Sequence, residues 1–448
     1  MRIDLDAETD KTLPLAVLGE IVAENGHGSR VLEALVESLD ERLLEAYCGE
    51  KHARGNADKR FQRAGTTTRS AVTTAGTHEF TLHYVKDTTD DPSYFRPIED
   101  VIAFDGQRIY QEDISARAVD LATTSSYRDA VADGDGFLSM PSKATINRRV
   151  VEYGTKLTEF LREHLTGSDT DTVLPDGTQC PSQEENGDHH TVSVTLAERD
   201  AEGTLLLDVS VNDTWEETAT ALDKIDAIAD QAAVVSDAEE NLVEAFVEDE
   251  RIHQLDLLHL CRTTEYYLWK DDQFPLEERT AYVDEVKNIV FHLKNSVAKH
   301  DPRSEYWAIR YRIERTREKL EQLAEELGEK ECHTTAAYLR SWIPSVVTFA
   351  QQALEEVEVP WTSNLVERAM GAVADRCKQR WMRWTEHGLE SMLTPMETLP
   401  PTQTTVFNKI VTPSWSLLRS QPTGGLYRDA VRSLTGDSSR SRRASAGH

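Results

Sequence analysis

The sequence predicts a multidomain α+β chain: a helical N-terminal region with one β arm, a mixed α/β core, and an all-helical block set into that core. Three observations predict it. Apolar residues recur at helical spacing over 13–49 and 110–164, β-branched runs cluster between 172 and 257, and helical periodicity holds from Leu260 to about Glu358. With 448 residues the chain has length for about two to four domains and a sizeable buried core.

The first segment, 1–50, carries Leu13, Val17, Leu18, Ile21 and Val22, then Val31, Leu32, Leu35, Val36 and Leu39, at helical spacing. Its opening residues are acidic, unlike a signal peptide, and no apolar run approaches a membrane span, so a soluble, cytoplasmic protein is expected. The second segment, 51–165, starts basic and Thr-rich, with Arg54, Lys59, Arg60, Arg63 and Arg69. Alternation over His78–Val85 predicts a short strand or hairpin arm. Ser139–Val150 has the pattern of the turn and short second helix of a helix-turn-helix, with Lys143, Asn147, Arg148 and Arg149 as DNA-contacting candidates. An ordinary amphipathic helix with exposed arginines fits that pattern equally well.

Gly, Ser, Asp, Thr and Pro crowd 166–190, which sets a domain boundary near 166. Strands are expected at Thr172–Leu174, Thr191–Leu196, Thr204–Val211, Ala232–Val235 and Ile252–Leu257, with a helix over Trp215–Asp230. Residues 166–261 are thus the first part of the core and 262–358 the helical block. Pro360 ends that block, a new helix at Asn364 completes the core over 359–400, and 401–448 is an extension with a disordered Ser/Arg/Gly-rich tail.

The net charge is −30, with 79 acidic against 49 basic residues. Either the partner is not nucleic acid, or the protein works in molar salt and needs surface carboxylates. The acids are spread along the whole chain rather than gathered in a tail, which favours a halophile. At about 1 M salt the Debye length is about 3 Å, so bulk repulsion from DNA is nearly erased and local arginines decide binding. The five cysteines are far apart and form no CxxC pair, as expected of inert thiols rather than a disulfide framework or zinc site.

Three acidic residues draw attention. Asp176 lies in Leu174-Pro175-Asp176-Gly177-Thr178 at the end of the first strand, Asp237 directly follows the run Ala233-Val234-Val235-Ser236, and Glu367 stands in the first turn of the late helix. Two carboxylates at strand tips and one on a passing helix can converge on hard cations. Each also has an ordinary explanation. Pro-Asp-Gly is a turn tripeptide, and Ser236-x-x-Glu239 and Asn364-x-x-Glu367 have capping-box spacing. Periodicity and spacing leave both readings open.

The order Asp-Gly-Thr, Ser-Asp after an apolar strand, Asp256-x-x-His259, then Ser363-Asn364-x-x-Glu367-Arg368 resembles the Mutator-like DDE transposases, nearest to the insertion-sequence transposases of haloarchaea. Arg60–Gly65 with Thr74-Ala75-Gly76, Tyr94–Ile98, Ala118–Tyr127 and Trp384-Thr385-Glu386-His387-Gly388 extend the resemblance along much of the chain. It implies an RNase H-like core interrupted by a helical insertion. Asp176, Asp237 and Glu367 would be the catalytic set holding two Mg²⁺ or Mn²⁺ ions, with spacings 237 − 176 = 61 and 367 − 237 = 130. His259 would position the scissile phosphate or a metal-bound water. Arg376, Lys378 and Arg380, after the glutamate, would contact phosphates. The implied partners are the terminal inverted repeats and target DNA, bound by a homodimer or larger assembly. A catalytically inactive DNA-binding derivative and an acidic helical scaffold with no nucleic-acid role are the alternatives.

Overall fold

The computed structural model describes residues 13–24, 28–49, 60–89, 92–135, 139–165, 170–183, 189–199, 203–248, 250–379 and 382–398. Arg54, Lys59, Arg380 and the C-terminal extension from 401 lie outside them. The chain is mixed α/β and forms two compact units that divide at Leu157/Thr158. The division falls inside a helix rather than in the Gly- and Ser-rich stretch after 166, because that helix continues to His164.

In the first unit, β1 (Leu13–Pro14) leads into α1 (Leu15–Glu24) and α2 (Ser29–Cys48). The helical stretch expected over 13–49 is therefore two helices, the second opening at Gly28. β2 (Phe61–Thr73) and β3 (Gly76–Asp87) make an antiparallel hairpin much longer than the expected arm, with β4 (Ser93–Phe95) beside the end of β3. Gly76, at φ +123°, gives the left-handed backbone that the tight Thr74-Ala75 turn requires. Helix α2 lies along the edge of β3 that β4 leaves open. Carboxylates of Glu33, Glu37 and Asp40 accept the backbone N–H groups of Glu79 (3.1 Å), Thr81 (3.0 Å) and His83 (2.9 Å). The spacings match because one helical turn and two strand residues both advance about 6 Å. Acidic side chains thus protect an otherwise bare strand edge.

The apolar core of this unit joins Leu15, Leu18, Leu32 and Val36 to Phe80, Leu82, Ile98 and Ile102, the last from β5 (Ile102–Ala103), which pairs with β1. Helices α3 (Glu112–Thr124), α4 (Tyr127–Asp135) and α5 (Lys143–His164) follow. A Cβ on Gly134 would lie 2.1 Å from Met140 Cγ, so glycine there lets Met140 fold back against the end of α4. Ser142 then starts α5, accepting the Ile146 amide on its carbonyl at 2.9 Å. At 22 residues α5 is far longer than the short second helix expected.

The second unit is built on one five-stranded sheet. β6 (Thr172–Pro181), β7 (His189–Arg199) and β8 (Gly203–Val211) run antiparallel in sequence. After α6 (Trp215–Lys224), β9 (Ala233–Ser236) pairs parallel to β6; after α7 (Glu240–Phe246), β10 (Ile252–Leu255) pairs parallel to β9. The sheet order is β10-β9-β6-β7-β8. Pro175-Asp176-Gly177, expected as a turn at the end of a strand, lies inside β6 opposite Thr195, Val194 and Ser193. The continuous ladder with β7 overrides the local turn preference, and Gly177 has a packing role. A Cβ there would come within 3.2 Å of the Trp215 ring.

Five helices separate β10 from the last helices: α8 (Leu257–Asp271), α9 (Leu276–Lys299), α10 (Tyr306–Glu329), α11 (His333–Val346) and α12 (Thr348–Leu354). The boundary expected at 261/262 falls inside α8, which starts directly after the sheet. The block is fastened back to β10, where Thr348 Oγ1 donates to the His253 carbonyl (2.7 Å) and the Phe349 amide to Gln254 Oε1 (2.7 Å). α13 (Asn364–Cys377) then packs on β6 and β7, and α14 (Glu386–Thr398) closes the unit. Among the described residues no helix is long and apolar enough to cross a membrane.

Candidate active site

The first two carboxylates come from neighbouring strands, β6 and β9. β6 and β9 pair Thr172 with Ala233 and Val173 with Val234, an offset of 233 − 172 = 61. That is the spacing of Asp176 and Asp237. The paired stretch ends at Val173 and Val234; Asp176 lies three residues further along β6, and Asp237 directly follows β9, close enough for its charge to act on Asp176. Their surroundings differ. Asp176 Oδ1 accepts its neighbour Gly177's amide at 2.7 Å, while Asp237 Oδ1 accepts the Glu239 amide at 3.2 Å. The Ser236…Glu239 capping box does not form. Ser236 Oγ donates to the Asp237 carbonyl (3.0 Å), and Glu239 takes the Trp215 indole N–H (2.9 Å).

The next strand contributes Asp256, whose amide donates to the Ser236 carbonyl at 2.8 Å. This side chain is fully buried and its oxygens are saturated. Oδ1 caps α8 by accepting the amides of Leu258 (2.6 Å) and His259 (3.0 Å). Oδ2 accepts Thr362 Oγ1 (2.9 Å), the Ser363 amide (2.7 Å) and Ser363 Oγ (2.7 Å). One carboxylate therefore ties the start of α8 to the start of α13. Burial opposes its charge, but the donors from Ser363, His259 and Thr362 outweigh burial and hold the carboxyl below its usual range.

That clasp aims the third carboxylate. Glu367 does not cap its own helix; the residue before α13, Ser363, makes no side-chain cap, its hydroxyl being committed to Asp256. Instead His259 Nε2 donates to Glu367 Oε1 at 2.9 Å, and Arg262 Nη1 donates to the same oxygen at 3.0 Å. Asp176 lies within electrostatic reach of Asp237, His259 and Glu367. Its carboxyl is pushed up to about 6, first by burial and then by the Asp237 and Glu367 charges, against the Gly177 amide and His259.

This donor set fits a hard divalent cation. Three carboxylates crowd one end of a sheet, one of them desolvated enough to resist ionising, and a bound cation would relieve that strain. Among the described residues, the group whose ligand atoms all fall within 4.8 Å of one another is Asp256, His259 and Glu367. Asp256 has spent its oxygens on five donors, so that proximity reflects the clasp rather than a coordination sphere. Asp176, Asp237 and Glu367 do not form such a group among the described residues.

The basic candidates separate. Lys378 Nζ reaches Thr178 Oγ1, two residues past Asp176 on the same face of β6. Arg376 is buried, with its guanidinium 5.2 Å from the Trp384 ring centre and Nη1 against Met382 Sδ, so it packs the unit instead of meeting phosphate. α13 ends at Cys377, so Lys378 follows the helix. In the first unit, Lys143, Asn147 and Arg148 are exposed on α5, Asn147 donating to Tyr127 Oη (3.2 Å). Arg149 is buried and ion-paired to Glu152 (2.8 Å), a structural post in place of the expected DNA contact.

Sequence reasoning named Asp256 and Trp384 in motifs but gave them no role, and it missed Arg262. Asp256 carries a signal, since an Asp directly before an apolar helix start reads as a cap. Trp384 locks the chain after α13 onto β6: its amide donates to the Pro181 carbonyl (3.0 Å) and its indole to the Cys377 carbonyl (3.1 Å). His190 Nε2 donates to the Trp384 carbonyl (3.0 Å) while Nδ1 accepts the Asn212 amide (3.0 Å), so this histidine is a fastener. Comparison with protein-family models and with curated proteins finds no match for the chain.

Proposed function

We propose that this chain is a metal-dependent DNA transposase of the DDE type, with an RNase H-like core in the second unit and the α8–α12 block as its insertion. The observation that carries the reading is the offset of 61 shared by the β6–β9 register and the Asp176–Asp237 pair, with Glu367 delivered to the same end of the sheet. A three-stranded meander extended by two parallel strands on the side of its first strand is the topology such a core uses. Two Mg²⁺ or Mn²⁺ ions held by Asp176, Asp237 and Glu367 would supply a nucleophile at neutral pH and charge stabilisation for an in-line phosphoryl transfer.

The chain's own residues would do the rest. His259 fixes the Glu367 carboxylate and, on its exposed side, can hold a phosphate oxygen; Arg262 adds a cation beside it. Lys378 stands at the rim of the same face for a backbone phosphate. The exposed Lys143, Asn147 and Arg148 of α5 would meet the terminal repeats. The acidity suits work in molar salt, where short-range contacts outweigh net charge. The test is Mg²⁺-dependent nicking, in molar KCl, of duplexes carrying the DNA that flanks the gene, where the reading expects inverted repeats, with Asp237→Ala alongside. Cutting by the wild type and none by D237A is expected; equal cutting by both overturns the site.

A further inference from the structure

The buried face of α8 is made by Leu257, Leu260, Cys261, Thr264 and Leu268. The opposite face carries Arg262, Tyr266 and Trp269, continuing the line of His259 at steps of three, four and three residues, so the four stand above one another on one side of the helix. The line starts at Glu367, which both His259 and Arg262 touch, and runs about 15 Å outward at 1.5 Å per residue. Its outer part is aromatic and open to solvent: Tyr266 is 53% and Trp269 59% exposed. Their ring centres are 5.9 Å apart with planes inclined by 36°. Exposed Lys270 adjoins Trp269.

We propose that this face of α8 is a track for unpaired nucleotides of the strand being processed, the rings stacking bases while Arg262 and Lys270 attend the phosphates. The proposal rests on the reading of the carboxylates as a phosphodiester-cleaving site. Tyr266 also touches the Tyr267 ring, at 5.5 Å between centres, yet both rings leave more than half of their surface open, and together they offer a partner a contiguous apolar face. Continuity with the site selects the occupant. A partner meeting Arg262 at one end and the rings at the other must combine anionic groups with flat π-faces, as a single nucleic-acid strand does.

The test measures binding of fluorescent oligothymidylate and of a blunt duplex to the full chain by anisotropy, without divalent metal, in low and in molar KCl. Tyr266→Ala and Trp269→Ala are each expected to weaken oligothymidylate binding by about tenfold, at both salt concentrations, because stacking is far less salt-sensitive than phosphate contact. Duplex binding and the thermal midpoint should hold. Trp307→Ala, which removes a 74% exposed ring on α10, should match the wild type. Wild-type oligothymidylate binding in both α8 variants, equal weakening by W307A, or a change of oligomeric state in place of lost binding overturns the track. Asp237→Ala separates the two claims. If D237A nicks normally while the α8 variants lose the strand, the carboxylate assignment fails alone; if D237A abolishes nicking while the α8 variants bind normally, the track fails alone.

Discussion

Asp256→Asn offers the sharpest test of how the site is assembled. The wild-type carboxylate accepts five hydrogen bonds, two from the start of α8 and three from Thr362 and Ser363. An asparagine has one acceptor oxygen and can serve only one of these groups. If it keeps the helix cap, its NH₂ faces the Ser363 amide and two hydroxyls. The hydroxyls can rotate away, each losing about 1 kcal/mol, but the buried amide is stranded at about 1–3 kcal/mol, for a total near 3–5 kcal/mol. That is a large share of a typical folding free energy of about 5–15 kcal/mol. Denaturant titration in fixed KCl with a chelator present measures the loss. Hydrogen exchange should accelerate together at 257–261 and 362–367, since one group holds both. The sign with pH is also set. The folded carboxyl lies below its ordinary value, so its contribution is present above about pH 4 and lost as pH falls through the folded value, and the gap between wild type and D256N narrows in acid. Unchanged stability and exchange, with only metal affinity lost, would make Asp256 a ligand and refute the clasp.

Two further substitutions test packing and charge. Gly177→Ala sets a Cβ 3.2 Å from Trp215 Cζ2 and 3.6 Å from the Val192 carbonyl, so a loss of about 1–3 kcal/mol is expected in denaturation, with altered tryptophan emission; an unchanged midpoint would remove the packing explanation for this glycine. Asp113 is buried on α3, with Oδ2 accepting the Thr74 amide (2.6 Å) and hydroxyl (2.8 Å) while Oδ1 has no hydrogen-bond partner, and burial raises its carboxyl to about 6. The folded value exceeds the unfolded one, so ionisation costs stability as pH rises from about 4 to about 6, and D113N should gain at most about 3 kcal/mol at neutral pH and nothing in acid. A variant less stable than wild type at pH 8 would show that the charge is needed.

Much of the organisation is legible in the chain because it rests on local periodicity. The strand cluster, the helical block and the late helix with Glu367 appear where alternation and helical spacing place them. The errors share one cause. Pro175-Asp176-Gly177 reads as a turn because turn preference is local, whereas a ten-pair ladder with β7 is not. Arg149 and Arg376 read as basic surface because a guanidinium looks the same in sequence whether it meets solvent, Glu152 or Trp384.

The site divides along the same line. Residue types and their spacing by themselves determined that Asp176, Asp237 and Glu367 are candidates, and the number 61 was present from the start. Only the tertiary structure shows that the β6–β9 register has the same offset, because strand register is a property of two paired segments and no single segment encodes it. It also decided Glu367's partners: an oxygen that spacing allows to cap its own helix turns to His259 and Arg262, while Asp256, more than a hundred residues earlier, holds the start of that helix.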